Sequence, residues 1–205
     1  MSARARSAGV GAALLALAAA LALSGCATSR LGQRLHARSF GGDIRLSDAP
    51  DGGSVMVFGG DVHIGAVGGR LRALAFGGDV VLDTLAGDAR IATFGGKVAL
   101  RVAPEAEGQF VSIRTFGGDV RLVLDPDLGA AIDIEQVSQR GNSSRIESDV
   151  PLHRSTGPWR HRLFGGMRRT VHASGIIGDG GTRIRVRVYG GDVSIVRTER
   201  VVASR

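Results

Sequence analysis

Phe58-Gly59-Gly60-Asp61-Val62-His63-Ile64-Gly65-Ala66-Val67-Gly68-Gly69-Arg70-Leu71-Arg72-Ala73-Leu74-Ala75 is one unit of the pattern that decides the fold, because Phe76-Gly77-Gly78-Asp79 begins it again. The same turn stands 18 residues upstream at Phe40-Gly41-Gly42-Asp43 and 18 downstream of Phe76 at Phe94-Gly95-Gly96. Halfway through two of the units lie Val67-Gly68-Gly69 and Leu85-Ala86-Gly87. A fifth copy, Phe116-Gly117-Gly118, comes 22 residues after Phe94, and its four extra residues fit a loop insertion within Ala103–Gly108. A late copy reads Tyr189-Gly190-Gly191.

After each turn, apolar and polar side chains alternate: Asp43-Ile44-Arg45-Leu46, Asp61-Val62-His63-Ile64, Asp79-Val80-Val81-Leu82, Asp119-Val120-Arg121-Leu122 and Asp192-Val193-Ser194-Ile195. A period of two is that of a half-buried strand. The glycine pairs supply the sharp corners between strands. No helical periodicity competes after Cys26. A strict 18-residue strand-turn-strand-turn period predicts an all-β, single-domain parallel β-solenoid. Each coil buries its apolar face only by stacking on its neighbours, about 4.8 Å away. Residues 18 apart then lie above one another. Phe40, Phe58, Phe76 and Phe94 should form one aromatic ladder continued by Phe116, and Val62, Val80 and Val98 an aliphatic one. A β-sandwich of short antiparallel strands is the alternative, but sandwiches rarely keep so even a spacing.

From Pro126 to Ser174 the pattern lapses. Ile132-Asp133-Ile134 and Val137 still read as strand, Gln139–Ser144 as loop. Pro151–Arg169, with Pro158, the single Trp159 and many arginines, reads as an excursion or mobile loop. Order returns at Gly175. In Thr182–Tyr189, Arg183, Arg185 and Arg187 alternate with Ile184, Val186 and Val188, which describes a strand with one basic, solvated face.

The N-terminus has its own grammar. Arg4 and Arg6 precede an apolar run, Ala12–Leu23, that ends in Leu23-Ser24-Gly25-Cys26. This is the layout of an export signal, and the run is shorter than the roughly 20 apolar residues a membrane-spanning helix needs. The last four residues resemble the lipobox of bacterial lipoproteins. The resemblance implies cleavage between Gly25 and Cys26 and acylation, as by palmitate, of the Cys26 thiol. An ordinary signal peptide with an incidental cysteine is the competing reading. Cys26 is the single cysteine, so no internal disulfide exists. Ala27, rather than Asp, follows it, which in such lipoproteins points to the outer membrane. The expected location is the cell envelope, anchored and facing the periplasm, with the cell surface as the alternative. The organisation expected is a signal peptide (1–25), a lipidated tether (26–39), a repeat domain (40–197) and a tail (198–205).

The net charge of +7 is unevenly spread. Residues 151–205 carry 11 arginines against Asp179, Asp192 and Glu199. Such a patch attracts polyanions. An exported chain rarely meets nucleic acid, so acidic glycan or lipid headgroups are the expected partners. The candidate anionic-ligand surface is Arg160, Arg162, Arg168, Arg169, Arg183, Arg185 and Arg187, with Arg154 beside them. The competing reading is a solvated face that keeps the protein soluble. Asp43, Asp61, Asp79, Asp119 and Asp192 could stack as a calcium column, but Lys97 interrupts it and the second Gly-x-Asp element of calcium-binding nonapeptides is missing. Their expected role is to accept hydrogen bonds from turn amides. His36, His63, His153, His161 and His172 show no ligand spacing, so no metal or other cofactor is expected. The common hydrolase, metalloprotease and phosphate-loop motifs are missing. A non-enzymatic binding or structural surface is therefore expected. The alternative is a carbohydrate-active or ligand-binding enzyme on the same scaffold.

The serial Phe-Gly-Gly-Asp-(Val/Ile) units resemble a bacterial β-strand-repeat family of adhesin type, a domain of unknown function. So does the terminal run Ile177-Gly178-Asp179-Gly180-Gly181-Thr182-Arg183-Ile184-Arg185-Val186-Arg187-Val188-Tyr189-Gly190-Gly191-Asp192-Val193. The likeness covers roughly Phe40–Arg197 and implies a right-handed parallel β-helix, with no established activity. The arginine-rich 151–169 segment departs from that family's pattern.

Overall fold

The second of each turn's two glycines shows how tightly this chain stacks. In the computed structural model, a Cβ built on Gly60, Gly78, Gly96, Gly118 or Gly191 would run into the carbonyl oxygen of the glycine one coil below. A Cβ on the first glycine meets nothing at Gly59, Gly77, Gly95 or Gly117, but the position needs a positive φ, +94° at Gly77 for example. One glycine thus makes the corner and the other lets two backbones touch.

The structure describes residues 34–104, 108–141, 144–162 and 166–199, with the side chain of Arg162 left out. The signal sequence, Cys26 and most of the tether expected at 26–39 lie outside the described residues. Among the described residues there is no helix, only strands and turns.

The repeat lays down paired strands: β1 (Leu35–Phe40), β2 (Ile44–Ala49), β3 (Gly52–Phe58), β4 (Val62–Val67), β5 (Arg70–Phe76), β6 (Val80–Leu85), β7 (Ala89–Phe94), β8 (Val98–Val102), β9 (Phe110–Phe116) and β10 (Val120–Leu124). Odd strands pair in parallel in one sheet, here sheet A, and even strands in a second, sheet B. The 18-residue register holds at the turns, where Phe58 stands on Phe40, Phe76 on Phe58, and Val80 on Val62; it slips by one residue only late in the β6–β8 pair, where Leu85 meets Val102. The insertion before β9 leaves Phe94 aligned with Phe116. This is the solenoid the period predicts.

The two sheets close on each other through their alternate residues. Val57, Leu71, Ile91 and Ile113 from sheet A meet Val62, Ile64, Leu82, Leu100 and Leu122 from sheet B, each at most 2% exposed. Parallel sheets are ordinarily covered on both faces by helices. Here each covers one face of the other, and the outer faces meet solvent.

The aspartates after the turns hold the coils together from outside. The amides of Asp61, Asp79 and Lys97 each donate to the carboxylate one coil below, at 3.1, 2.9 and 2.8 Å. Asp119 and Asp192 accept in the same way from the amides of Asp192 and Arg145. This is the turn-amide role expected of them. Among the described residues no group of three or more His, Cys, Asp or Glu side chains could hold a metal. Asp61→Ala should therefore cost about 1 kcal/mol, one intramolecular hydrogen bond, and millimolar calcium should leave the melting temperature unchanged; thermal unfolding with and without calcium checks both.

After β10 the stacking stops following chain order. The later strands are β11 (Ala130–Gln139), β12 (Ile146–Ser148), β13 (His153–Thr156), β14 (Arg160–Arg162), β15 (Gly166–Ile177), β16 (Thr182–Tyr189) and β17 (Val193–Arg197). Strand β11 does not pair with β9. Strand β16 lies between them, parallel to both, and β17 likewise lies between β10 and β12. The last coil in the chain is thus the next-to-last in the stack. Beyond β11 runs β15, antiparallel, and then β13 and β14, both antiparallel to β15. The described residues of the 151–169 segment, expected as an excursion or mobile loop, contribute β13, β14 and the start of β15 to the end of sheet A. Covering an edge this way satisfies the terminal backbone groups of a parallel stack.

Candidate anionic-ligand site

The outward face of sheet A carries the chemistry. Alternation within each strand sends Phe40, Phe58, Phe76, Phe94 and Phe116 outward at the same corner. Their rings stack at centroid distances of 4.7–5.1 Å with planes within 6°. Because β16 lies against β9, Tyr189 becomes the sixth ring, 4.7 Å from Phe116. The ladder is the one expected, and it stands on the surface: Phe40 is 83% exposed and Phe94 45%. Two residues earlier on each strand, Met56, Leu74 and Ala92 form a second outward apolar column in register with it.

Where the aromatic column ends, the arginines begin. Val137 aligns with Tyr189, and Thr170 with Val137. Both line a cavity of about 520 Å³ together with Tyr189, Glu135, His172, Arg160, Arg168 and Arg169. Arg160 and Arg168 are directly opposite across the antiparallel β14–β15 pair. Like charges placed this way repel, and an anion between them would relieve it. The Nε atoms of Arg168 and Arg169 are buried without a hydrogen-bond partner among the described residues. The Arg169 guanidinium stands 4.9 Å from the centre of the half-exposed Trp159 ring. A second concavity on the same face, of about 370 Å³, is lined in part by Arg90, Arg114, Arg185 and Phe110.

The expected arginine set divides on this geometry. Arg160, Arg168 and Arg169 come together at the cavity. Arg185 and Arg187 do not present free charges: Arg185 pairs with Asp133 at 3.3 Å and Arg187 with Glu135 at 3.0 Å. The face read as simply basic is thus partly neutralised by β11. Arg183 stays on the open face beside Phe110. Arg154 turns to the Ile146 carbonyl, 2.8 Å away. Strand β14 includes Arg162, whose side chain is not described. The sequence reading missed Tyr189, His172, Glu135 and Trp159, because their proximity depends on the interleaved order of the coils.

No family model, curated protein or solved structure matches the chain.

Proposed function

We propose that this is a non-enzymatic, lipid-anchored envelope protein that uses the outer face of sheet A as a binding surface for an acidic ligand, centred on the Arg160–Arg168 cavity. The adhesin-type resemblance, carried by the Gly-Gly-Asp repeats, fits such a role, and the lipobox-like Leu23-Ser24-Gly25-Cys26 supports anchoring through Cys26 at the outer membrane. The observation that carries the reading is the facing pair Arg160 and Arg168, with the Nε groups of Arg168 and Arg169 buried and without a hydrogen-bond partner among the described residues. A folded chain tolerates unsatisfied buried donors rarely, and a hydrogen bond to a charged group contributes about 1.5–3 kcal/mol. A bound carboxylate, sulfate or phosphate would answer both the repulsion and the missing bonds.

Retention on immobilised heparin tests it. Arg160→Ser combined with Arg168→Ser should weaken heparin affinity at least about tenfold, the loss of one or two charge-assisted bonds. Arg101→Ser with Arg121→Ser removes equal charge from the outer face of sheet B and should change affinity little. Equal losses from the two pairs would mean that net charge, not this cavity, attracts the polymer. Metabolic labelling with palmitate tests the anchor: label should appear on the wild-type chain and be absent from Cys26→Ala.

A further inference from the structure

We propose that the acidic ligand is an anionic lipid, bound with its headgroup phosphate at the arginine cavity and an acyl chain along the aromatic column. This rests on the anionic-ligand reading above and adds the apolar half of the ligand.

The column and the cavity are one continuous feature. Tyr189 is both the last ring of the stack and part of the cavity wall. Five steps of 4.7–5.1 Å carry the column about 24 Å from Phe40 to Tyr189. One leaflet of a bilayer's hydrocarbon core is about 15 Å thick, so the column is long enough to run beside an acyl chain of the length that fills a leaflet. Beside the rings, Met56, Leu74 and Ala92 form an outward apolar row across three strands, bounded by Arg38 at one end and Arg114 at the other. A contiguous exposed apolar strip ending in arginines marks a ligand that is itself apolar along its length and acidic at one end.

The orientation of the rings argues against a glycan along the same path. A sugar packs on the face of an aromatic ring. Here both faces of the four interior rings, Phe58, Phe76, Phe94 and Phe116, lie against neighbouring rings, with interplanar angles of 1–6°. Ring edges project to solvent, and they offer an apolar rail rather than a stacking platform. A methylene chain needs contact and desolvation only, and each methylene taken from water tightens binding about fourfold.

The full chain carrying Cys26→Ala, so that no acyl group of its own competes, is titrated with myristoyl-lysophosphatidylglycerol below its micelle concentration. Calorimetry and the emission of Trp159, the single tryptophan, follow binding. The same protein is titrated with glycerophosphoglycerol, with myristoyl-lysophosphatidylcholine and with heparin. The lysophosphatidylglycerol should bind at least about tenfold more tightly than its headgroup alone or the zwitterionic lipid. Leu74→Ser and Met56→Ser, outward substitutions that leave the core intact, should each weaken the lipid severalfold and leave headgroup binding unchanged. Headgroup or heparin binding as tight as the lipid, or lipid binding indifferent to both substitutions, overturns the lipid proposal and leaves the anion site standing. Failure of every anion to bind removes both.

Discussion

Gly78→Ala should destabilise the protein by about 4 kcal/mol or more, while Gly77→Ala, one residue away, should cost about 1–2 kcal/mol. At Gly77 the penalty is the positive φ of +94°, an intrinsic backbone strain with open space around it. At Gly78 there is no conformational difficulty, yet the added Cβ would overlap the Gly60 carbonyl. Relief requires two coils to part at the point where the amides of Asp79 and Lys97 bridge them. Losses that large come from few mechanisms, and backbone displacement in a packed stack is one. Equilibrium denaturation of both variants checks the order. Ala86 gives an internal comparison: it occupies the first small-residue position of an opposite corner, where no positive φ is needed and alanine fits.

Ending the chain after Gly181 should remove cooperative folding of the C-terminal half altogether. The deletion takes out Ile184, Val186, Val188, Val193 and Ile195, each at most 1% exposed. It also leaves β9 and β11 without the strand that joins them, and β10 and β12 without β17. In a stack where each coil touches only its neighbours, loss of an interior coil separates what lies on its two sides. Hydrogen exchange should show β3–β8 still partly protected and β11–β15 exchanging freely. Protection of β11–β15 equal to that in the whole chain would mean that they do not depend on the inserted coil.

That insertion also explains what could and could not be read from the sequence. The 18-residue period is local information, and it carried the sheets, their register, the aromatic column and the inward valines. The late Tyr189-Gly190-Gly191 motif identified a coil, but not its place. Phe116 and Tyr189 are 73 residues apart, and no spacing rule puts their rings in contact. Strands β13–β15 stayed hidden for a different reason. His153–Thr156 is exposed throughout, and much of β15 is half-buried, so neither shows the apolar alternation that reveals a strand. Their order comes from pairing at the stack's end, not from their own pattern.

The candidate site was legible to the same degree. The excess of arginine in the last third pointed to an acidic partner without knowledge of the fold. Which arginines remain available was not legible, because Asp133 and Glu135 reach Arg185 and Arg187 only through the β11–β16 pairing. The ladder was expected from its period. Its exposure, and its continuity with the cavity, come from the closing of two sheets with no helical layer outside them among the described residues.

All of this depends on β16 lying between β9 and β11, and paired cysteines measure that directly. Ser112, Arg185 and Asp133 are outward residues on three successive strands in the order β9, β16, β11. In a Cys26→Ala background, Ser112→Cys with Arg185→Cys places two thiols on adjacent strands, about 4.8 Å apart, within disulfide range. Ser112→Cys with Asp133→Cys places them two strands apart, beyond it. Oxidation should cross-link the first pair and leave the second as free thiols. Cross-linking of the second pair instead of the first would mean that the coils stack in chain order, and would contradict both the inserted coil and the site built on it.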